Sequence, residues 1–237
     1  MTNSELVLQA IAGRYGTQDP NQLQIQRWSY WDYVRLPVAG TNRLTFMSNP
    51  IGSVDPVSGL AKTLEETNIR RSGELDLPFV IMAVKTVIEV LPAGRQAAGY
   101  VAVTDAVQAA STPVHRVLRN MANLGVLLVD FGQKNQFTIE QPFQKCPPGY
   151  GPSIRSVSAN QQGTSGVPDE TLYYSQSVDP RDQYVVSPPV FIEKGQTFQC
   201  VIDFLLTNTP AIPQVGGVNV AVNVGLEFDG YVIRPVQ

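Results

Sequence analysis

The sequence predicts an all-β protein, a β-sandwich built on one core. Three observations lead there. Long stretches alternate apolar and polar residues, as in "VNVAVNVGLEFDG" (218–230), the period that puts one strand face in a core and the other toward water. Glycine (19) and proline (18) are frequent among the 237 residues, the composition of a turn-rich chain. Charged residues make up only 16%, below the usual quarter or so, which suggests a surface partly covered by partners.

In chain order, Thr2 and Glu5 have capping-box spacing and Gly13 is a stop, so 2–13 is expected as a short helix. Residues 14–40 show no clear periodicity and are expected to extend it as an arm, with the domain running over 41–237. Within 1–40 the charges Glu5, Arg14, Asp19, Arg27, Asp32 and Arg35 balance, unlike a basic genome-binding arm. "RWSYWDY" holds both tryptophans, so Trp28, Tyr30, Trp31 and Tyr33 are the candidate subunit-interface residues, aromatic anchors being typical of interface hot spots. Packing onto their own domain, and a sugar-stacking platform, are the other readings of the cluster.

"RLTFMS" is expected as a strand with Leu44 and Phe46 on one face, and 49–78 as a loop in which "LAKTLEETNIRR" holds a helical turn. "FVIMAVKTVIEVL" is a long strand with Val80, Met82, Val84, Ile88 and Val90 on its drier face. Ser111–Gly125 reads as an inserted helix, with Ser111 as cap, Pro113 in the first turn and Val114, Val117, Leu118 and Met121 as one stripe. Residues 145–170 read as a long exposed loop. Phe198, Cys200, Ile202, Phe204 and Leu206 alternate again, and Gly230 marks a bulge. The expected strands are 43–48, 79–91, 125–131, 136–141, 171–175, 183–192, 197–206 and 218–234. Eight antiparallel strands in two sheets make a single jelly-roll sandwich, here with an inserted helix and an N-terminal helical arm.

Catalytic chemistry finds little support. The one histidine, His115, has no partner motif and reads as a polar helix residue beside Arg116 and Arg119. A metal-dependent jelly-roll enzyme needs several His and carboxylate ligands, which this chain does not supply. "MAVK", "HRVLRN" and "DFG" occur in kinase order, but Val117 stands where the catalytic aspartate belongs and no phosphate loop precedes Lys85. No catalytic, cofactor-binding or metal residues are therefore expected. The pair Arg70–Arg71 reads as a solvated loop. Cys146 and Cys200 are expected as free thiols. A net charge of −3 argues against direct nucleic-acid binding. No apolar run has the roughly 18–20 residues that span a bilayer, and no basic-then-apolar leader opens the chain.

"KTLEETNIRRSGEL", "PVFIEKGQTFQCVIDF" and "VGLEFDGYVIRPVQ" resemble the corresponding stretches of jelly-roll capsid proteins of icosahedral bacterial viruses. In those a P-x-x-I-x-x-G-x-x-F strand entry and a final L-x-x-D-G-x-x-I-R-P strand recur. Here the positions are Pro189, Ile192, Gly195 and Phe198, then Leu226, Asp229, Gly230, Ile233, Arg234 and Pro235. The resemblance implies a virion structural protein, assembled in the host cytoplasm into an icosahedral shell with other copies of itself and other capsid proteins. Major, vertex and minor shell roles, and a membrane beneath the shell, stay open. The alternative function is a receptor- or carbohydrate-binding jelly-roll module of a virion.

Overall fold

The computed structural model describes residues 9, 11, 13, 14, 16, 23–37, 39–90, 100–101, 124–131, 137–143, 148–150, 153–160, 169–175, 183–204, 214–215, 218–220 and 222–235. The strands are β1 (Leu23–Arg35), β2 (Arg43–Phe46), β3 (Phe79–Val90), β4 (Tyr100–Val101), β5 (Gly125–Phe131), β6 (Phe137–Pro142), β7 (Pro148–Tyr150), β8 (Ser153–Asn160), β9 (Asp169–Ser175), β10 (Tyr184–Ile192), β11 (Phe198–Phe204), β12 (Gln214–Val215), β13 (Val218–Val220) and β14 (Val222–Pro235).

Two four-stranded antiparallel sheets carry the fold, one in the order β1-β14-β3-β10 and one in the order β2-β11-β5-β6. The short β7 runs parallel beside β3. Their facing sides share one hydrophobic core. Phe46 and Phe143 enter it from the second sheet and its continuation, and Phe79 and Phe228 from the first. The Phe198 and Phe228 rings, one from each sheet, lie 6.3 Å apart and tie the layers together.

The alternation expected in the last strands is present. Val222, Val224, Leu226 and Phe228 point inward and are fully buried, as are Cys200 and Ile202. Leu44 and Phe46 share the buried face of β2. Four expectations are corrected. Residues 23–35, read as an aperiodic arm, form the 13-residue β1, paired along its whole length with β14. Its inward positions are Tyr30, Asp32 and Val34, and the aspartate hides the period. The run 218–234 is divided: β13 pairs with β12 and β4, and only β14 belongs to the first sheet. The drier face of β3 changes phase. Phe79 and Ile81 face the core before Met82, and Val84 and Thr86 after it, because Met82 is an extra residue opposite the Asp229–Gly230 step. The bulge expected at Gly230 is therefore on the partner strand. Gly230 itself is required because a Cβ there would overlap the Val80 carbonyl oxygen. Finally, 145–170 is not all loop, since β7, β8 and the start of β9 lie within it and β8 pairs with β9.

Gln9, Ile11, Gly13 and Arg14 have helical backbone, with a turn at Gly16 (φ 68°). Ile11 is fully buried against Val80 and Ile233 on the outer face of the first sheet. Arg14 lies 2.9 Å from Glu193 and over the Phe191 ring. The helix expected at 111–125, with His115, lies outside the described residues apart from Leu124 and Gly125, and Gly125, the expected helix stop, opens β5.

Candidate functional site

The densest polar chemistry in the described residues lies on β1 and the segment that follows β2. β1 is an edge strand of its sheet, and an edge leaves backbone groups unpaired. Residues 63–69 cover it. Tyr33 N donates to the Glu66 carbonyl (2.7 Å), and Asn68 N to the Trp31 carbonyl (3.2 Å). The Asn68 side chain accepts from Trp31 N (2.9 Å) and donates to the Ser29 carbonyl (2.8 Å). The expected helical turn is one turn at Thr63–Thr67, closed by the Thr67 N–H on the Thr63 carbonyl. It sets Thr67 directly opposite Asp32.

Asp32 is buried completely, with its carboxylate in the core. Oδ1 accepts from Lys62 Nζ at 2.5 Å, and Oδ2 accepts from Met47 N at 2.6 Å. The Thr67 hydroxyl, which donates to the Trp31 carbonyl at 3.3 Å, lies near enough to the carboxylate to favour its charged form. The Lys62 side chain is 2% exposed. A small hairpin delivers it: Gly52 N donates to the Lys62 carbonyl, Lys62 N to the Ser53 carbonyl, and Val54 bridges Ala61. Met47, just after β2, has φ 59°, a conformation that non-glycine residues seldom take, and its N–H donates to Asp32. Burial pushes the Asp32 carboxyl above its ordinary value. Lys62, the Met47 N–H and Thr67 offset only part of that.

Close by on β1, the Arg35 side chain is 3% exposed, with Nη2 3.8 Å from Glu66 Oε1. Its Nε and Nη1 have no hydrogen-bond partner among the described residues. Burial drives the Cys200 thiol well above 9.0, and the negative charge of Asp32 adds to the effect. Cys200 is a free thiol, buried in the core. Cys146 lies outside the described residues.

The four aromatic candidates separate. Tyr30 is a core residue of its own chain, its ring 5.0 Å from Phe79 and nearly perpendicular to it. Tyr33 lies on the outer face over Gly225. Trp31 is half-buried on that face, its Nε1–H donating to the Leu64 carbonyl (3.2 Å). Trp28 alone is largely open, at 44% exposure. Its neighbour Arg27 makes a two-pronged contact to Asp229, at 2.7 and 3.3 Å. Most other exposed apolar side chains, Ile51, Val54, Leu60 and Leu64, gather between β2 and β3. Arg70 and Arg71 are exposed and both face Asp76.

The sequence reading missed Asp32 and Lys62. Asp32 had one signal, its equal parity with Tyr30 and Val34, visible only once 23–35 is taken as a strand. Lys62, 30 residues away in a turn-rich stretch, had none. Among the described residues no cluster of His, Cys, Asp and Glu is placed to hold a metal ion, and no helix is long and apolar enough to cross a membrane. Set beside known protein families, curated proteins and solved structures, the chain has no match.

Proposed function

We propose that this chain is a jelly-roll capsid protein of an icosahedral bacterial virus, a structural component that assembles with copies of itself. The observation that carries the reading is strand order. Counted along the chain, the eight strands of the two main sheets run 1-8-3-6 in one sheet and 2-7-4-5 in the other. First pairs with last, second with seventh, third with sixth and fourth with fifth, all antiparallel. That pairing supports reading the fold as a long hairpin folded over itself into two Greek keys, the arrangement of jelly rolls, common in viral shells and lectins.

Two further features favour a shell over a solitary domain. The chain is poor in charge. The stretch between β2 and β3 presents Ile51, Val54, Leu60 and Leu64 to solvent, and β1 presents Trp28, in the manner of an anchor set awaiting a neighbour. The motif stretches that resemble capsid proteins fall on the β10–β11 turn, where Gly195 has φ 72°, and on β14. Size-exclusion chromatography with electron microscopy of the purified chain, alone and with co-expressed partner shell proteins, tests the reading. Large closed assemblies are expected. A monomer or trimer that never assembles but binds glycans would overturn it in favour of a receptor-binding module.

A further inference from the structure

A primary amine and a carboxyl group meet in the Asp32–Lys62 pair where neither reaches water. Lys62 Nζ is 2.5 Å from Asp32 Oδ1, and the two side chains are 2% and 0% exposed. Lys and Asp are almost never fully buried unless paired, and this pair has more around it. The Met47 N–H donates to the other carboxyl oxygen, and Met47 itself is a non-glycine residue in left-handed backbone. Unusual backbone of this kind collects at functional sites. Thr67 stands directly opposite Asp32 across a strand bridge and closes that side of the site.

We propose that Lys62 and Asp32 become joined by an intramolecular amide bond between Nζ and Cγ. In a dry site two separated charges are costly, so transfer of one proton from the ammonium to the carboxylate yields a neutral amine beside a neutral acid. The Nζ lone pair then attacks Cγ, and the carbonyl electron pair moves onto Oδ2. The Met47 N–H, 2.6 Å away, stabilises that oxyanion. The C–Oδ1 bond breaks, the departing hydroxyl takes a second proton from nitrogen, and water leaves. One ammonium and one carboxylate give one amide and one water. No oxidant, reductant or co-reactant enters. The reaction is favoured by approach, since the fold holds Nζ 2.5 Å from an oxygen of the carboxyl group it would attack. The product fastens the Gly52–Lys62 hairpin to β1 and leaves no buried charge in the pair. It stands independently of the capsid reading.

The test is the intact mass of the full chain, folded, aged to a constant value and then denatured. The expected mass lies below that of the sequence by one water. Trypsin should then fail to cleave after Lys62 and release a branched peptide that joins Trp28–Arg35 to Leu44–Arg70. Asp32→Asn should lose one ammonia instead, because nitrogen is then the leaving group. Lys62→Arg and Asp32→Ala should keep their sequence masses. An unmodified wild-type mass, with ordinary cleavage after Lys62, overturns the proposal whether or not any variant folds.

Discussion

The Tyr33 ring lies so close over Gly225 that a Cβ on the glycine would sit 2.5 Å from the ring's Cε1. The two residues face each other directly across the β1–β14 ladder, on the outer side of the first sheet. The ring covers backbone that a glycine leaves bare, and the glycine leaves room for the ring. Gly225→Ala should therefore destabilise the protein by about 1–3 kcal/mol, the usual cost of overpacking. In the Tyr33→Ala background the same change should cost much less, because the obstacle is gone. Chemical denaturation of the four proteins of this double-mutant cycle checks the coupling, and simple additivity would contradict it.

The inward alternation of β14 makes a sharper demand. Val222 is completely buried in the shared core. Val222→Asp places a carboxylate there without a partner, at a cost of several kcal/mol. Soluble expression and near-ultraviolet circular dichroism should both be lost.

Truncation separates the N-terminal residues into two parts. Deleting residues 1–35 removes β1, which pairs through all 13 of its residues with β14 and supplies Tyr30 to the core. No folded domain is expected. Ile11→Ala should leave the domain folded but less stable by about 2–5 kcal/mol, the range for large-to-small changes at buried sites. Thermal melts of both proteins distinguish the outcomes, and a cooperative melt of the 36–237 protein would show that β1 is dispensable.

Replacing Lys62 exposes the electrostatics of Asp32. Burial already raises its carboxyl above the ordinary 3.8, and Lys62→Met removes the two Lys62 contributions that oppose the rise. An acid whose folded value is raised binds its proton more tightly in the folded state than in the unfolded one. Its contribution to stability is fully present below 3.8 and is lost as pH rises through the folded value. Lys62→Met should thus be most stable in acid and weaken steadily toward neutrality. Adding Asp32→Asn should flatten that part of the profile. Urea midpoints measured from about pH 3 upward give the answer, the lower limit lying below an ordinary aspartate's range.

Cys200 should behave as an inert core residue. Burial holds its thiol well above 9.0, so almost no thiolate is present near neutrality. In a Cys146→Ser background a disulfide reagent should label nothing until denaturant is added. Rapid labelling of the native protein would place Cys200 outside the core.

Local periodicity determined much of this protein from the sequence alone. Strands β11 and β14 were legible because buried apolar residues recur at every second position over Phe198–Phe204 and Val222–Phe228. Turn residues marked the ends of several others. Only the tertiary structure decided the rest, because the deciding contacts join distant residues. β1 was hidden by Asp32, an inward residue whose burial is tolerated through Lys62, 30 positions away. The phase of β3 changes at Met82, since a bulge depends on the register with β14 and not on any residue type in β3. The aromatic cluster illustrates the same division. Its composition announced large contact area, but the pleat sends Tyr30 into the core and Tyr33 onto Gly225, while Trp28 is left open to solvent. A strand's period shows which residues share a face. Which neighbour covers that face is set by long-range pairing, for which no single stretch of sequence carries the information.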